Sequence, residues 1–218
     1  MLNYLTQSLF CYLYIYFIDI FSGIENNSAR WFFLHIWINL VVVLFGLYDV
    51  FLCLSNPLMC FDNITLWNSS VPFMMGFTGH MYHLIMFDKI KPSDIFHHVL
   101  MWSIAGTLSF LYLQKPGTNL ALFGLTGFPG AIDYILLYFV KSGIIRSIQE
   151  KKCNIFIQTW IRMPIILITG GILYVNLLHH QIQSYLYLLC ASITGLLCVW
   201  NGIHYMHDTL ESYYSKAI

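Results

Sequence analysis

The sequence predicts an all-α fold, a polytopic bundle of about seven transmembrane helices around a polar cavity. Three observations carry this expectation. Hydrophobic residues make up 58% of the 218-residue chain and charged residues only 9%, where a soluble domain carries about a quarter charged. Mean hydropathy is +0.68. The apolar residues also fall in continuous runs near the roughly 20 residues that a spanning helix needs. They do not alternate as the strands of a membrane β-barrel would, so lipid is the expected solvent.

The spans follow in order. Tyr4–Phe21 is the first span. It is read as a helix rather than a secretory signal, because it lacks a positive leading region, contains Asp19 and ends in Phe21-Ser22-Gly23 without a small-x-small cleavage pattern. Trp31–Leu54 is the second span. Val71–Phe87, the third, is short and polar at its end. Asp94–Leu113 is the fourth. Leu120–Val140, the fifth, contains GLTGFPG. Proline removes a backbone donor and crowds the preceding turn, so a kink is expected near Pro129. A helix starting only after Gly130 would be too short to cross. Asn154–Leu177 and Ser184–Tyr205 complete the set. The connections are short and carry no low-complexity tract or repeat. The chain therefore divides into an N-terminal helix and loop (1–29), one helical domain (30–207) and a tail (208–218).

Lys and Arg counts set the expected orientation. Arg30, Lys89, Lys91, Lys141, Arg146, Lys151, Lys152 and Lys216 fall on one side of the alternating loops, and Lys115 alone falls on the other. The positive-inside bias puts the C-terminus in the cytosol and the N-terminus in the lumen. The sequons Asn63-Ile64-Thr65 and Asn68-Ser69-Ser70 lie on the predicted lumenal side, although Asn26-Asn27-Ser28 does not. The six cysteines form no C-x-x-C motif. Cys53 and Cys60 both fall near the lumenal face, which leaves their pairing open. Net charge is zero with no basic stripe, so nucleic acid is not an expected partner.

Each helical residue rises about 1.5 Å, which sets the depth of the polar residues along their spans. His35, His80, His83, His97, His98, Asp133 (roughly 12 Å deep), Arg162, His204 and His207 all fall in the cytosolic half of the membrane. An ionisable side chain in hydrocarbon costs on the order of 3 kcal/mol by insertion scales. Convergence of such groups from several helices is explained most economically by one polar cavity open toward the cytosol. Plain structural readings stand beside this. A lone His35 or His204 fits an interfacial histidine, and Asp133 with Arg162 fits a buried bridge. His97 and His98 point about 100° apart, so one would face the cavity while the other caps or orients. Asp19 and Asp49 are expected to be structural.

The residue types suit acyl transfer. A neutral imidazole serves as base or nucleophile near neutral pH. A carboxylate fixes its tautomer, and an arginine holds phosphate or carboxylate. The imidazoles also suit a metal site.

Between Arg30 and about Tyr205 the chain resembles the TLC-domain family of membrane proteins, which includes the ceramide synthases. The resemblance rests on the adjacent pair His97-His98 early in a span, on Asp133 in GAIDYILLYFVKSG on the next span, and on the order and spacing of the helices. RWFFLHIWIN and NIFIQTWIRMP add to it. It implies a six-helix core, preceded here by one further helix, around a lipid-accessible cavity in the endoplasmic reticulum. By analogy with the ceramide synthases, His97, His98 and Asp133 would be catalytic, with acyl-CoA as co-substrate and a sphingoid-type amine as acceptor. His80, His83, Arg162 and His35 would bind substrate. Ala131 and Ile132 stand where ceramide synthases usually carry a histidine beside the aspartate motif, so lipid handling is better supported than catalysis. Three functions are carried forward: an acyl-CoA-dependent N-acyltransferase, a non-catalytic lipid-binding or lipid-regulating protein, and a histidine-ligated metalloenzyme. A membrane lipid is the expected partner, and a homodimer is left open.

Overall fold

The computed structural model describes residues 2–60, 70–87, 90, 92–112, 116–179 and 185–217. Asn63 and Asn68 of the sequons, and Lys89, Lys91 and Lys115 of the charge count, lie outside them. The described residues form seven helices and no strand. These are α1 (Leu2–Ser22), α2 (Asn27–Ser55), α3 (Val71–Met86), α4 (92–112), α5 (Pro116–Lys141), α6 (Ser147–His179) and α7 (Tyr185–Ala217). All seven expected spans are helical. Their ends shift mainly in α6, which begins at Ser147 rather than Asn154, and in α7, which continues through most of the segment expected as a tail. Five helices, α1, α2, α5, α6 and α7, are long and apolar enough to cross a membrane.

Local chemistry fixes several ends. The Asn26 side chain accepts from the Ala29 N–H at 3.0 Å and caps α2, satisfying one of the donors that a helix start leaves open. Pro57 opens a single 3₁₀ turn after α2. Pro72 sits in the first turn of α3, where its missing N–H costs nothing. Cys53 and Cys60 form a disulfide across that turn, which settles the pairing that the sequence left open.

Three helices contain π-helical stretches: Val99–Gly106 in α4, Phe123–Gly127 in α5 and Gln158–Arg162 in α6. The one in α5 lies directly before Pro129. The irregularity expected at the proline is therefore taken up as a wider turn, in which the Phe128 N–H reaches the Phe123 carbonyl.

Helix α2 packs against α1, α3 and α5, and α7 packs against α4 and α6. Asp19 on α1 ties the first three helices together. It takes the Arg30 Nε at 2.6 Å in a two-pronged pair and the Tyr82 hydroxyl at 2.5 Å. Asp49 on α2 accepts from Asn119 Nδ2 on α5. Both aspartates thus hold helices together, as expected. The apolar core runs through Ile15, Leu34, Ile38, Val42, Met75 and Tyr82.

Glycine lets α5 and α6 approach. A Cβ on Gly124 would overlap the Ile165 side chain, whereas one on Gly170 would meet nothing within 4 Å. Gly124→Ala is expected to destabilise the fold by about 1–3 kcal/mol through overpacking, and Gly170→Ala to leave it unchanged or slightly improved. Melting temperatures of the two variants in one detergent check this; equal values would contradict the packing.

Candidate functional site

One cavity of about 150 Å³ lies inside the bundle. That is room for several waters or part of a chain-bearing ligand. Its wall changes character along its length. Toward the ends of the helices that carry Arg30 and Lys141 it is lined by His35, His80, His97, Asp133, Arg162 and Asn201. Toward the other end it is lined mostly by small and apolar residues, among them Ala105, Gly106, Ala121, Gly170, Leu173 and Gly195, together with the hydroxyl-bearing Ser109, Thr118, Thr169 and Thr194.

The imidazoles form two layers. His80 is central, with its ring centroid 4.7 Å from both His98 and Trp102, 5.8 Å from His35 and 6.2 Å from His97. His80 Nδ1 lies 2.7 Å from the Gly76 carbonyl oxygen, and His35 Nδ1 lies 3.2 Å from that of Trp31. A carbonyl cannot donate, so each Nδ1 carries the proton and each Nε2 keeps its lone pair. Behind this layer, His83 Nδ1 and His98 Nε2 are 3.3 Å apart and share one hydrogen bond. Trp31 stacks on His83 at 3.5 Å and meets the His35 ring edge-on at 3.6 Å.

The adjacent pair is therefore divided. His97 lines the cavity; His98 is buried and does not. His97 packs edge-on against Tyr205 at 5.5 Å, and its Nδ1 is buried without a hydrogen-bond partner among the described residues. His83 belongs with His98 in the second layer. His204 and His207 are exposed and face Asp208 and Glu211 instead of the cavity. Their depth along α7 matched the others, but their direction differs.

A polar ladder on α6 supplies the rest. Glu150, Asn154, Gln158 and Arg162 stand one turn apart, and all are almost fully buried. Arg162 Nη1 donates to Gln158 Oε1 at 3.0 Å, and Gln158 Nε2 donates to Asn154 Oδ1 at 3.0 Å. Asn154 Nδ2 donates to Asp133 Oδ1 at 2.8 Å and to Glu150 Oε1 at 3.3 Å. Every donor points from the guanidinium toward the carboxylates, the arrangement in which successive bonds polarise one another. Lys151 pairs with Glu150 at 3.2 Å. Asp133 and Arg162 thus share the cavity but are bridged by amides, not joined directly as the structural-bridge reading has it. Asp133 bonds Asn154, so the carboxylate–imidazole pairing implied by the family resemblance is not formed here. Arg162 also lies 5.4 Å over the Tyr205 ring, and its Nε is buried with no hydrogen-bond partner among the described residues.

Sequence reasoning missed Glu150, Asn154 and Gln158. Their spacing of four from Arg162 was the available signal. Among the described residues, the one group of three or more ligand atoms within 4.8 Å of one another is His207, Asp208 and Glu211, all exposed. The buried imidazoles are not gathered at that spacing.

Comparison of the chain with family models, with curated proteins and with solved structures finds no match.

Asn154→Leu removes the donor of Asp133 and breaks the ladder at its middle. It is expected to cost about 1–3 kcal/mol and to lower the melting temperature in detergent, whereas Asn154→Gln retains part of the loss; a melting temperature unchanged in Asn154→Leu would contradict the ladder.

Proposed function

We propose that this chain is an integral membrane lipid-handling protein whose cavity holds an amphipathic lipid. One observation carries the reading. One internal cavity is lined by ionisable side chains at one end and mostly by glycine, alanine and leucine, with four serine and threonine hydroxyls among them, at the other, which suits a polar headgroup and the first part of a mostly apolar chain. In this reading the protein is related to the TLC-domain family and resides in the endoplasmic reticulum. Its N-terminus is lumenal and its C-terminus cytosolic, on the charge bias of the loops.

The chemistry that suits the polar end is N-acyl transfer from acyl-CoA to a sphingoid-type amine. The amine nitrogen attacks the thioester carbonyl carbon and the carbon–sulfur bond breaks. His97, or His80 through its free Nε2, takes the amine proton and returns it to the departing thiolate. His98 and His83 hold the outer imidazoles in place. A second reading, binding without turnover, is favoured by the bond of Asp133 to Asn154 in place of an imidazole.

Proteoliposomes given acyl-CoA and a sphingoid base test the two readings. N-acyl product is expected, falling about 10²–10⁴-fold in His97→Ala, the range for loss of a general base. Full rates in both His97→Ala and His80→Ala would end the catalytic reading. Gly170→Phe projects a ring into open cavity space and is expected to abolish both turnover and co-purified lipid; retention of stoichiometric lipid in that variant would end the cavity reading altogether.

A further inference from the structure

We infer that the cavity selects a lipid whose headgroup is a zwitterion, with its phosphate or carboxylate on Arg162 and its ammonium on Asp133. This rests on the lipid-handling reading in its second form, binding without turnover, and names the class of lipid; a sphingoid-type amine, which is purely cationic, belongs to the acyl-transfer reading instead.

The inference starts from an incomplete guanidinium. Arg162 is 4% exposed, lines the cavity, gives one donor to an amide oxygen and leaves Nε with no partner among the described residues. A buried cation is normally paired with an anion and has its donors filled. Gln158 offers a neutral oxygen only. An anion entering the cavity would complete the set, and a planar guanidinium presents parallel donors that match phosphate or carboxylate.

Charge balance then adds the second half. Glu150 is neutralised by Lys151 beside it. That leaves Asp133 and Arg162 as two opposite charges on one cavity wall, each bonded to an amide and separated by Asn154 and Gln158. The sum over the four groups is zero, two negative and two positive. A purely anionic headgroup would leave this buried region with an excess negative charge beside Asp133. A purely cationic one would add positive charge while Arg162 Nε stayed unfilled. A headgroup carrying both charges satisfies each group and keeps the region neutral. The mostly apolar wall around Gly170, Leu173 and Gly195 suits a zwitterion that bears a chain.

Native mass spectrometry of the purified full chain in a neutral detergent tests this. The protein is offered equimolar phosphatidylcholine, phosphatidylglycerol and diacylglycerol with identical acyl chains. Phosphatidylcholine is expected to be retained about tenfold over either competitor, a ratio supplied over diacylglycerol by a charge-assisted bond from Arg162 to the phosphate and over phosphatidylglycerol by charge attraction between Asp133 and the choline cation, which has no N–H to donate. Arg162→Gln is expected to remove its advantage over diacylglycerol, and Asp133→Asn to shift retention toward phosphatidylglycerol. Should Arg162→Gln fail to fold, the Asp133→Asn arm decides. Gly170→Phe separates cavity lipid from lipid on the outer surface, so a preference that survives in it overturns the inference. Glycerophosphocholine, which has the headgroup without chains, is expected not to displace the lipid at equal concentration, and displacement would overturn the chain-bearing part. Equal retention of all three lipids, or phosphatidylglycerol above phosphatidylcholine, refutes the headgroup while leaving lipid handling intact. Absence of any retained lipid refutes both.

Discussion

A charged group inside a lipid-facing bundle has to find its partners within the protein, and this constraint organises the whole structure. The ladder on α6 is the clearest result of it. Four polar side chains at successive turns give the helix a continuous buried hydrogen-bonded edge from Glu150 to Arg162. Without the two amides, Arg162 and Asp133 would face the low-dielectric interior with their nearest donors and acceptors missing, at a cost of several kcal/mol. With them, the guanidinium is held in place while part of it remains unengaged. The same residues therefore hold the buried charges in place and leave Arg162 Nε without a hydrogen-bond partner among the described residues. The outer imidazoles follow the same logic at smaller cost, since backbone carbonyls at Gly76 and Trp31 fix the protons of His80 and His35.

The backbone adapts to the cavity as well. Each of the three π-helical stretches contributes cavity lining: Trp102 and Gly106 from α4, Leu125 and Thr126 from α5, and Arg162 from α6. A π-helical turn widens the helix and rotates the residues that follow it. In α6 the stretch ends at Arg162, so the last member of the ladder is the residue at which the register changes. In α5 the stretch precedes Pro129 and brings Thr126 into a 2.8 Å hydrogen bond to Asn39 on α2. That bond pins α5 against α2 just above Asp133.

Much of this was legible in the sequence, and the reasons differ by feature. The seven helices could be read because each falls on an apolar run in the sequence, although only five of the described helices are long and apolar enough to cross a membrane. The gathering of His35, His80, His97, Asp133 and Arg162 could be read because depth along a helix is fixed by residue count. Rotation is not fixed in the same way. His204 and His207 matched the cavity residues in depth, yet α7 turns them outward toward Asp208 and Glu211. Hidden pairing was the other gap. Reading the sixth span from Asn154 cut Glu150 off from the residues it belongs with, and the period of four that ends at Arg162 was lost. The disulfide was legible only as an open choice, because proximity in sequence does not fix side-chain direction.

The adjacent histidines show how local geometry assigns roles that composition leaves symmetric. Successive helical residues diverge by about 100°, so a single cavity can receive only one of the pair. His97 takes that position, and its unengaged Nδ1 leaves a hydrogen bond for whatever enters. His98 turns instead into the second layer, where its Nε2 meets His83 and its ring backs His80. The π-helical stretch begins at the next residue, Val99. It lets α4 bring Trp102, Ala105 and Gly106 to the same cavity despite the offset set by the pair. The doublet is therefore one group presented to the cavity and one group packed against its neighbours. Substitution of either would be felt at the site, by loss of a contact for His97 and by loss of order for His98.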